Sequence, residues 1–232
     1  MAGISPNVVV ADDHPLLRAA LRLGILSLYP KANVLEVDSV SALKEAVTSQ
    51  NHLDLVLLDL LMPGVNGFST LLHLRRHHPD LRVAIVSGVE NPLCVRSALA
   101  LGAVGYIPKT LPPLRMQEAL RAVLGGGSWQ PAELTAGGEA MDDNDREPTR
   151  RIESLTPQEL RILLILGDGR MNKQIGSELN ISEGTVKVHM KAVLRKLGMS
   201  RRTEAAVLAQ RLLTAELSGL RELYHEVGAS KR

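Results

Sequence analysis

Five short apolar runs alternate with helical patterns over the first 124 residues, and this alternation constrains the fold more than any other feature of the chain. The runs are Asn7–Ala11, Asn33–Val37, Leu55–Leu58, Arg82–Val86 and Gly105–Ile107. The third lies in the stretch LDLVLLDLLMPGVNG, residues 53–67, where an unbroken apolar run ends abruptly in Asp59 and turn residues follow. A short continuous apolar run bounded by turn signals reads as a strand buried on both faces. The intervening segments carry helix signals. Leu17, Leu21, Ile25 and Leu28 recur near helical spacing, and Ser39 or Ser41 can cap a helix reaching about Ser49. Gly67 opens a segment that ends on Arg75-Arg76-His77-His78, a basic terminus that complements the helix dipole. Asn91-Pro92 and Pro112-Pro113 begin the last two helices. Strands alternating with helices imply a parallel sheet covered on both faces, with right-handed crossovers. The common five-stranded solution is the flavodoxin-like order 2-1-3-4-5, in which the carboxyl ends of strands 1, 3, 4 and 5 border one crevice.

The residues expected at those strand ends are chemically coherent. Strand 1 ends in Asp12 and Asp13, strand 3 in Asp59, strand 4 in Ser87 and strand 5 in Lys109. Taken singly, an acid or serine after a strand is explained by helix capping, and a lysine by solvation. Together they call for something more. Three converging carboxylates raise one another's pKa values, and a hard divalent cation such as magnesium relieves the repulsion. A lysine and a hydroxyl at the same point would receive a phosphoryl group, with Asp59 as the nucleophile that forms an acyl phosphate. Apolar Leu61 and Val89 flank the crevice and would slow attack by water on that product.

Charge divides the chain further. Residues 1–124 carry 11 Lys/Arg and 10 Asp/Glu, residues 125–149 carry 1 and 6, and residues 150–232 carry 15 and 9. The acidic middle holds Gly137-Gly138 and Asp142-Asp143-Asn144-Asp145, lacks apolar period, and reads as a mobile linker. It also contains Trp129, which is expected to be remote from the crevice. From Leu155 the pattern is helical. Thr156-Pro157-Gln158-Glu159 starts a first helix, Asn172 caps a second over Lys173–Leu179, Ser182–Leu197 forms a third and Thr203–Leu213 a fourth. The second and third, joined by the short turn Asn180-Ile181, have helix-turn-helix spacing. Lys187, Lys191 and Arg195 form a stripe at i, i+4 and i+8, and Lys187–Arg202 contains six Lys/Arg and no acid. An anionic partner follows, nucleic acid before membrane. No run approaches the roughly 18 apolar residues of a membrane span. Aromatic content of 2% disfavours base stacking on single strands. The single cysteine, Cys94, excludes a disulfide framework or a cysteine-based zinc site. The N-terminus has no secretory pattern, so a cytoplasmic location is expected.

The string DLLMPGVNG, with Asp12-Asp13, Ser87 and Lys109, resembles the receiver domain of bacterial two-component response regulators over residues 5–125. The resemblance implies that Asp59 accepts a phosphoryl group from a sensor histidine kinase. It further implies that Asp13, Asp59 and the Leu61 carbonyl bind Mg2+, with Asp12 acting through water. Ser87 and Lys109 would each bind a phosphoryl oxygen, and Tyr106 would be the switch aromatic. One departure is Thr110, which stands where many receivers have proline. Residues 152–215 resemble the helix-turn-helix effector domain of the LuxR/NarL regulators, through LTPQELRILLIL and NKQIGSELNISEGTVKVHMKAVLRKLGMSRRTEA. By position, Lys187, Val188 and Lys191 would face base edges, and Thr185, His189, Arg195 and Lys196 would lie nearer the phosphates of double-stranded promoter DNA. The fourth helix would form the homodimer. Residues 126–151 are then a flexible acidic linker, and residues 216–232 a tail with a possible short helix. The expected protein is a phosphorylation-switched transcription regulator, not an enzyme, with the receiver or linker covering the basic helix at rest. An aspartyl-phosphate phosphatase and a regulator acting by protein contact alone are the rival readings.

Overall fold

The computed structural model describes residues 5–50, 52–62, 68–132 and 150–213. The Pro63–Gly67 turn, the acidic cluster of the linker and the C-terminal tail lie outside these residues. Five parallel strands, β1 (Asn7–Ala11), β2 (Asn33–Val37), β3 (Leu55–Leu58), β4 (Arg82–Ser87) and β5 (Gly105–Pro108), form one sheet in the order β2-β1-β3-β4-β5. This is the expected flavodoxin-like order. The registers Ala11↔Leu58 and Leu58↔Ile85 align the carboxyl ends of the central strands, which places the residues after them side by side.

The period-two alternation of each strand divides the core into two layers. Val8, Val10, Leu55, Leu57, Ala84, Val86 and Ile107 face α1 (Pro15–Leu28) and α5 (Pro113–Leu124). Val9, Ala11, Val56, Leu58, Val83, Ile85 and Tyr106 face α2 (Val40–Ser49), α3 (Ser69–His77) and α4 (Pro92–Ala100). Because both faces are covered, strands 1, 3 and 4 had to be apolar at nearly every position. The caps act as the sequence indicates. The Ser39 side chain accepts from the Ala42 amide, Asn91 accepts from Leu93 N at 2.8 Å, and Pro15 opens α1. Cys94 is buried on α4, and burial alone pushes its thiol up to about 12, so it is an inert packing residue.

Trp129 sits beside the start of β5, at the end of that strand opposite Lys109. Its carbonyl accepts from Tyr106 N at 3.0 Å and its amide donates to Val104 O at 3.3 Å, so it runs along the edge of β5. A Cβ at Gly105 would lie 2.9 Å from the Trp129 carbonyl oxygen, a contact only glycine permits. The first part of the expected linker therefore belongs to the sheet, because β5 is an edge strand with unpaired backbone groups to satisfy.

The second domain contains α6 (Pro157–Gly167), α7 (Asn172–Leu179), α8 (Glu183–Leu197) and α9 (Arg202–Leu213). Thr156 and Glu159 form a reciprocal capping box on α6. Asn172 does not cap α7 as expected. Its Oδ1 accepts from Arg202 at 2.6 Å, and the Gln174 side chain instead accepts from the Met171 amide at 2.9 Å. The α7–α8 turn passes through Asn180 in the left-handed region at φ 54°. A Cβ at Gly176 would lie 2.7 Å from Ile181 O, so the two helices meet at this angle because position 176 has no side chain.

The domains touch. Helix α4 packs on α6 and α9, and Arg96 on α4 donates to the carbonyls of Ile152, at 3.2 Å, and Leu155. Arg76 on α3 pairs with Glu178 at 2.9 Å and Asp168 at 3.5 Å. Among the described residues no helix is long and apolar enough to cross a membrane.

Candidate functional site

Asp59 follows β3 directly, and its amide is tied to Ala11 O at 2.9 Å, which fixes the backbone beside the end of β1. Its carboxylate is fully buried at the floor of the crevice. Lys109, leaving β5, places Nζ 2.8 Å from Asp59 Oδ2 and 2.7 Å from Asp12 Oδ2. Lys109 is itself positioned by its amide, which donates to Ser87 O at 2.8 Å. The Leu61 amide donates to Asp59 Oδ1 at 3.2 Å, while its side chain is 53% exposed at the crevice mouth.

The electrostatics follow from burial opposed by one lysine. Burial pushes the Asp59 carboxyl above the usual range, Lys109 pulls it down and Asp12 pushes it up again; the net direction is upward. For Lys109, burial favours the neutral amine, but its contacts with Asp12 and Asp59 outweigh this and hold the ammonium above its ordinary value. One cation thus serves several acids. Ligand atoms of Asp12, Asp13, His14 and Asp59 all lie within 4.8 Å of one another. Asp12 Oδ2 and Asp13 Oδ1 are buried and make no hydrogen bond; the short Asp12–Lys109 contact is an ion pair without hydrogen-bond alignment. Carboxylate oxygens gathered around one point, two of them without an aligned hydrogen-bond donor, fit a hard divalent cation with oxygen ligands and retained waters.

His14 is the site residue that the sequence does not single out. Its Nδ1 lies 3.0 Å from Asp12 Oδ1 and 2.8 Å from Asp13 Oδ1, and its amide donates to Asp12 Oδ1 at 2.8 Å. Its position immediately after the doubled aspartate is the available signal. Ser87 is buried and accepts from Val89 N at 3.2 Å. The Tyr106 ring is fully buried and its hydroxyl donates to Val89 O at 2.6 Å. Burial, then the neighbouring Cys94, raises the pKa of that hydroxyl. The structure therefore brings Asp12, Asp13, Asp59, Ser87 and Lys109 to one crevice, with Tyr106 latched to the loop that leads into α4. No cis peptide occurs among the described residues, so Lys109–Thr110 is trans.

The second candidate surface is the outer face of α8. Ser182 caps this helix, accepting from Thr185 N at 3.0 Å, and Gly198 ends it at φ 70°. Val186, Met190, Val193 and Leu197 are buried against the domain core. Thr185, Lys187, Lys191 and Arg195 are exposed on the other side, with His189 partly so, and Val188 is 69% exposed. An exposed valine between two lysines has no packing role. Lys187 pairs with Glu183 at 2.8 Å, an exposed i, i+4 pair that a competing phosphate can displace. The receiver docks through α4 on α6 and α9 and leaves the α8 stripe exposed, so it is not the cover expected for this face; the acidic linker, the other expected cover, lies outside the described residues.

Lys196 departs from the other basic residues. Its Nζ bonds Glu159 Oε2 at 2.6 Å and Ser154 O at 3.0 Å, so it stabilises the start of α6. Burial pushes the Glu159 carboxyl up, but Lys196 and the Thr156 amide outweigh this and hold it below the usual range. Such a depressed carboxyl contributes stability above its unfolded pKa, and this is lost as pH falls through the folded value. Lys196→Met is expected to destabilise the chain by about 1–2 kcal/mol at neutral pH, and Lys191→Met by less than about 0.5 kcal/mol. Urea unfolding measures both, and the Lys196→Met deficit should shrink in acid as Glu159 protonates.

Comparison with known proteins agrees with both halves. Residues 8–121 match the family described as the response regulator receiver domain. Residues 153–209 match the bacterial regulatory proteins of the luxR family. The chain is 36% identical over 204 residues to the nitrate/nitrite response regulator protein NarL of Escherichia coli (strain K12), covering 87% of this chain and 93% of NarL. It is 34% identical over 208 residues to the glycerol metabolism activator of Pseudomonas putida, covering 88% and 94%. The solved RcsB–DNA complex, a two-component response regulator, superposes with a TM-score of 0.55 at 25% identity, covering 91% of this chain and all of that one. With a receiver crevice and a LuxR-type helix-turn-helix in one chain, the protein belongs to the LuxR/NarL-type two-component response regulators.

Proposed function

We propose that phosphorylation of Asp59 by a sensor histidine kinase switches this chain into a dimeric form that binds promoter DNA. The observation that carries the proposal is the buried Asp59 carboxylate, faced by Lys109 at 2.8 Å and grouped with the carboxylates of Asp12 and Asp13. An Asp59 oxygen attacks the phosphorus of a phosphohistidine. The P–N bond breaks, the imidazole leaves with the electron pair and takes up a proton, and an acyl phosphate forms on Asp59. Lys109 remains within reach of a phosphoryl oxygen and offsets its charge. Ser87 exchanges its bond with Val89 N for a phosphoryl oxygen. Asp13, Asp59 and the Leu61 carbonyl would hold Mg2+, with Asp12 acting through water; the ion supplies charge neutralisation to the transferring group.

The readout follows the chain. Ser87 and Tyr106 both bond to Val89, and α4 begins three residues later, at Pro92. A phosphoryl group that draws Ser87 away removes one of the restraints on this loop, and α4 carries the change to α6 and α9. Helix α9 corresponds to the dimerising helix of the resembled effector domains, and α4 now occupies part of it. The released form then presents the Lys187–Val188–Lys191 face in a two-fold pair. The chain acts as a stoichiometric switch and not as a phosphatase. DNA accounts for the whole module over residues 152–213, and phosphate-ester turnover accounts for none of it. It works in the cytoplasm, where the kinase and the DNA are accessible.

Beryllofluoride with magnesium, an acyl-phosphate mimic, tests this on the full chain. Light scattering should report a doubled mass, and Trp129 emission should change because its carbonyl is bonded to the Tyr106 amide. An unchanged mass together with unchanged emission would overturn the proposal.

A further inference from the structure

A cleft of about 310 Å³ lies at the domain boundary, away from the Asp59 crevice, between α2, α3 and the turn that joins α6 to α7. Its lining is mainly polar, with Val40 the apolar exception among the described residues. Thr70 lines it, is only 7% exposed, and its hydroxyl bonds to no described residue. Ser69, one residue earlier, and Lys44, on α2, also line the cleft, and neither side chain has a hydrogen-bond or ion-pair partner among the described residues. His73 completes the α3 face, with its ring 4.4 Å from that of His77.

Lys44, Arg76 and Arg170 stand against Asp168 in the lining and Glu178 just outside it, which pairs with Arg76 at 2.9 Å, so the cations exceed the acids by one. Asp168 is the one acid in the lining, and two guanidinium groups share it at the outer limit of bonding, Arg76 at 3.5 Å and Arg170 at 3.4 Å. Each guanidinium carries five N–H donors, so both retain capacity for another acceptor. Burial first, and then His77, Lys44, Arg76 and His78, hold the His73 imidazole below its ordinary pKa. Helix α3 has no acid in its first turn. A metal cation would be repelled here, and an apolar ligand would strand the hydroxyls. A carboxylate needs one planar pair of donors, whereas these donors approach from three elements, as the oxygens of a tetrahedral phosphate require.

We propose that this cleft binds a small phosphate-bearing anion, gripped by Lys44, Thr70 and Arg76 of the receiver and by Arg170 of the effector domain. The cleft volume leaves room for a diphosphate or a sugar phosphate beyond a single phosphate. Because its donors come from both domains, the anion favours the docked arrangement, and by linkage whatever separates the domains weakens its binding. The site lies apart from the Asp59 crevice and, coupled to it through the domain contact, would be a second input to the same protein.

Inorganic pyrophosphate is the probe, titrated calorimetrically into the full chain in metal-free buffer at constant ionic strength. One saturable site is expected. Lys44→Ala and Arg170→Ala, both at accessible positions, should each weaken it by about tenfold or more. Thr70→Val, which keeps the shape and removes the hydroxyl, should weaken it less. The Lys187→Ala/Lys191→Ala double variant should bind as wild type. Absence of saturable binding would overturn the proposal, as would binding that survives both Lys44→Ala and Arg170→Ala. Loss of binding only in the double variant would also overturn it, by assigning the anion to the DNA face.

Discussion

Asp59→Asn is expected to reduce phosphoryl incorporation from acetyl phosphate by more than about three orders of magnitude, as removal of a covalent nucleophile does. The substitution keeps the shape of the side chain and the Leu61 amide bond to Oδ1. It removes a carboxylate that burial already disfavours, and Lys109 keeps Asp12 at 2.7 Å as a counter-charge. Stability should therefore change by no more than about 1 kcal/mol, with the fold intact. Phosphate-affinity electrophoresis checks the incorporation, and a melting curve checks the fold. Appreciable labelling of a well-folded Asp59→Asn chain would mean that another residue accepts the phosphoryl group. Asp13 is the nearest alternative, with a partly exposed carboxylate in the same group.

The second large effect belongs to α8. Lys187→Ala with Lys191→Ala should weaken binding to a cognate duplex by about 2–6 kcal/mol, at about 1–3 kcal/mol per lost contact. The slope of log K against log salt should also fall, by about one for each contact that proves to be with phosphate. Neither lysine packs against the core, and Lys187 loses only its exposed pair with Glu183, so folding should be nearly unaffected. Val188→Ala should leave the salt slope unchanged and relax discrimination at one base pair, the signature of a contact with a thymine methyl group. Fluorescence anisotropy at several salt concentrations separates these outcomes. Equal binding by the double variant and wild type would remove α8 from the DNA interface.

The features legible in the sequence are those fixed by local patterning. Strands buried on both faces are apolar at nearly every position, so β1, β3 and β4 could be placed, and the residues after them could be gathered once the sheet order was inferred. The capping box at Thr156 and Glu159 and the exposed stripe on α8 were legible for the same reason, since both are written within one or two helical turns. What the sequence hid depends on contacts between distant elements. Lys196 looks like one more basic residue of the stripe until α6 brings Glu159 to within 2.6 Å of it. Asn172 has the right identity for a cap, but Arg202 from α9 claims its side chain. Trp129 follows three glycines and looks like linker, yet the open edge of β5 captures it. The docking of α4 on the effector domain has no local signature at all, since Arg96 bonds to backbone carbonyls that any sequence would supply. The paired acids of the crevice were evident, whereas the cleft beside α3 draws its donors from three elements separated by up to 126 positions, Lys44 to Arg170.

The central claim is that a phosphoryl group on Asp59 changes how tightly α8 is presented to DNA. The most direct measurement is the affinity of the full chain for a duplex selected from a random library, with and without phosphodonor, for wild type and Asp59→Asn. Coupling energies between sites are typically about 1–3 kcal/mol, so phosphorylation should raise wild-type affinity by roughly 5–150-fold and leave Asp59→Asn unchanged. Equal affinity in all four samples would contradict the account.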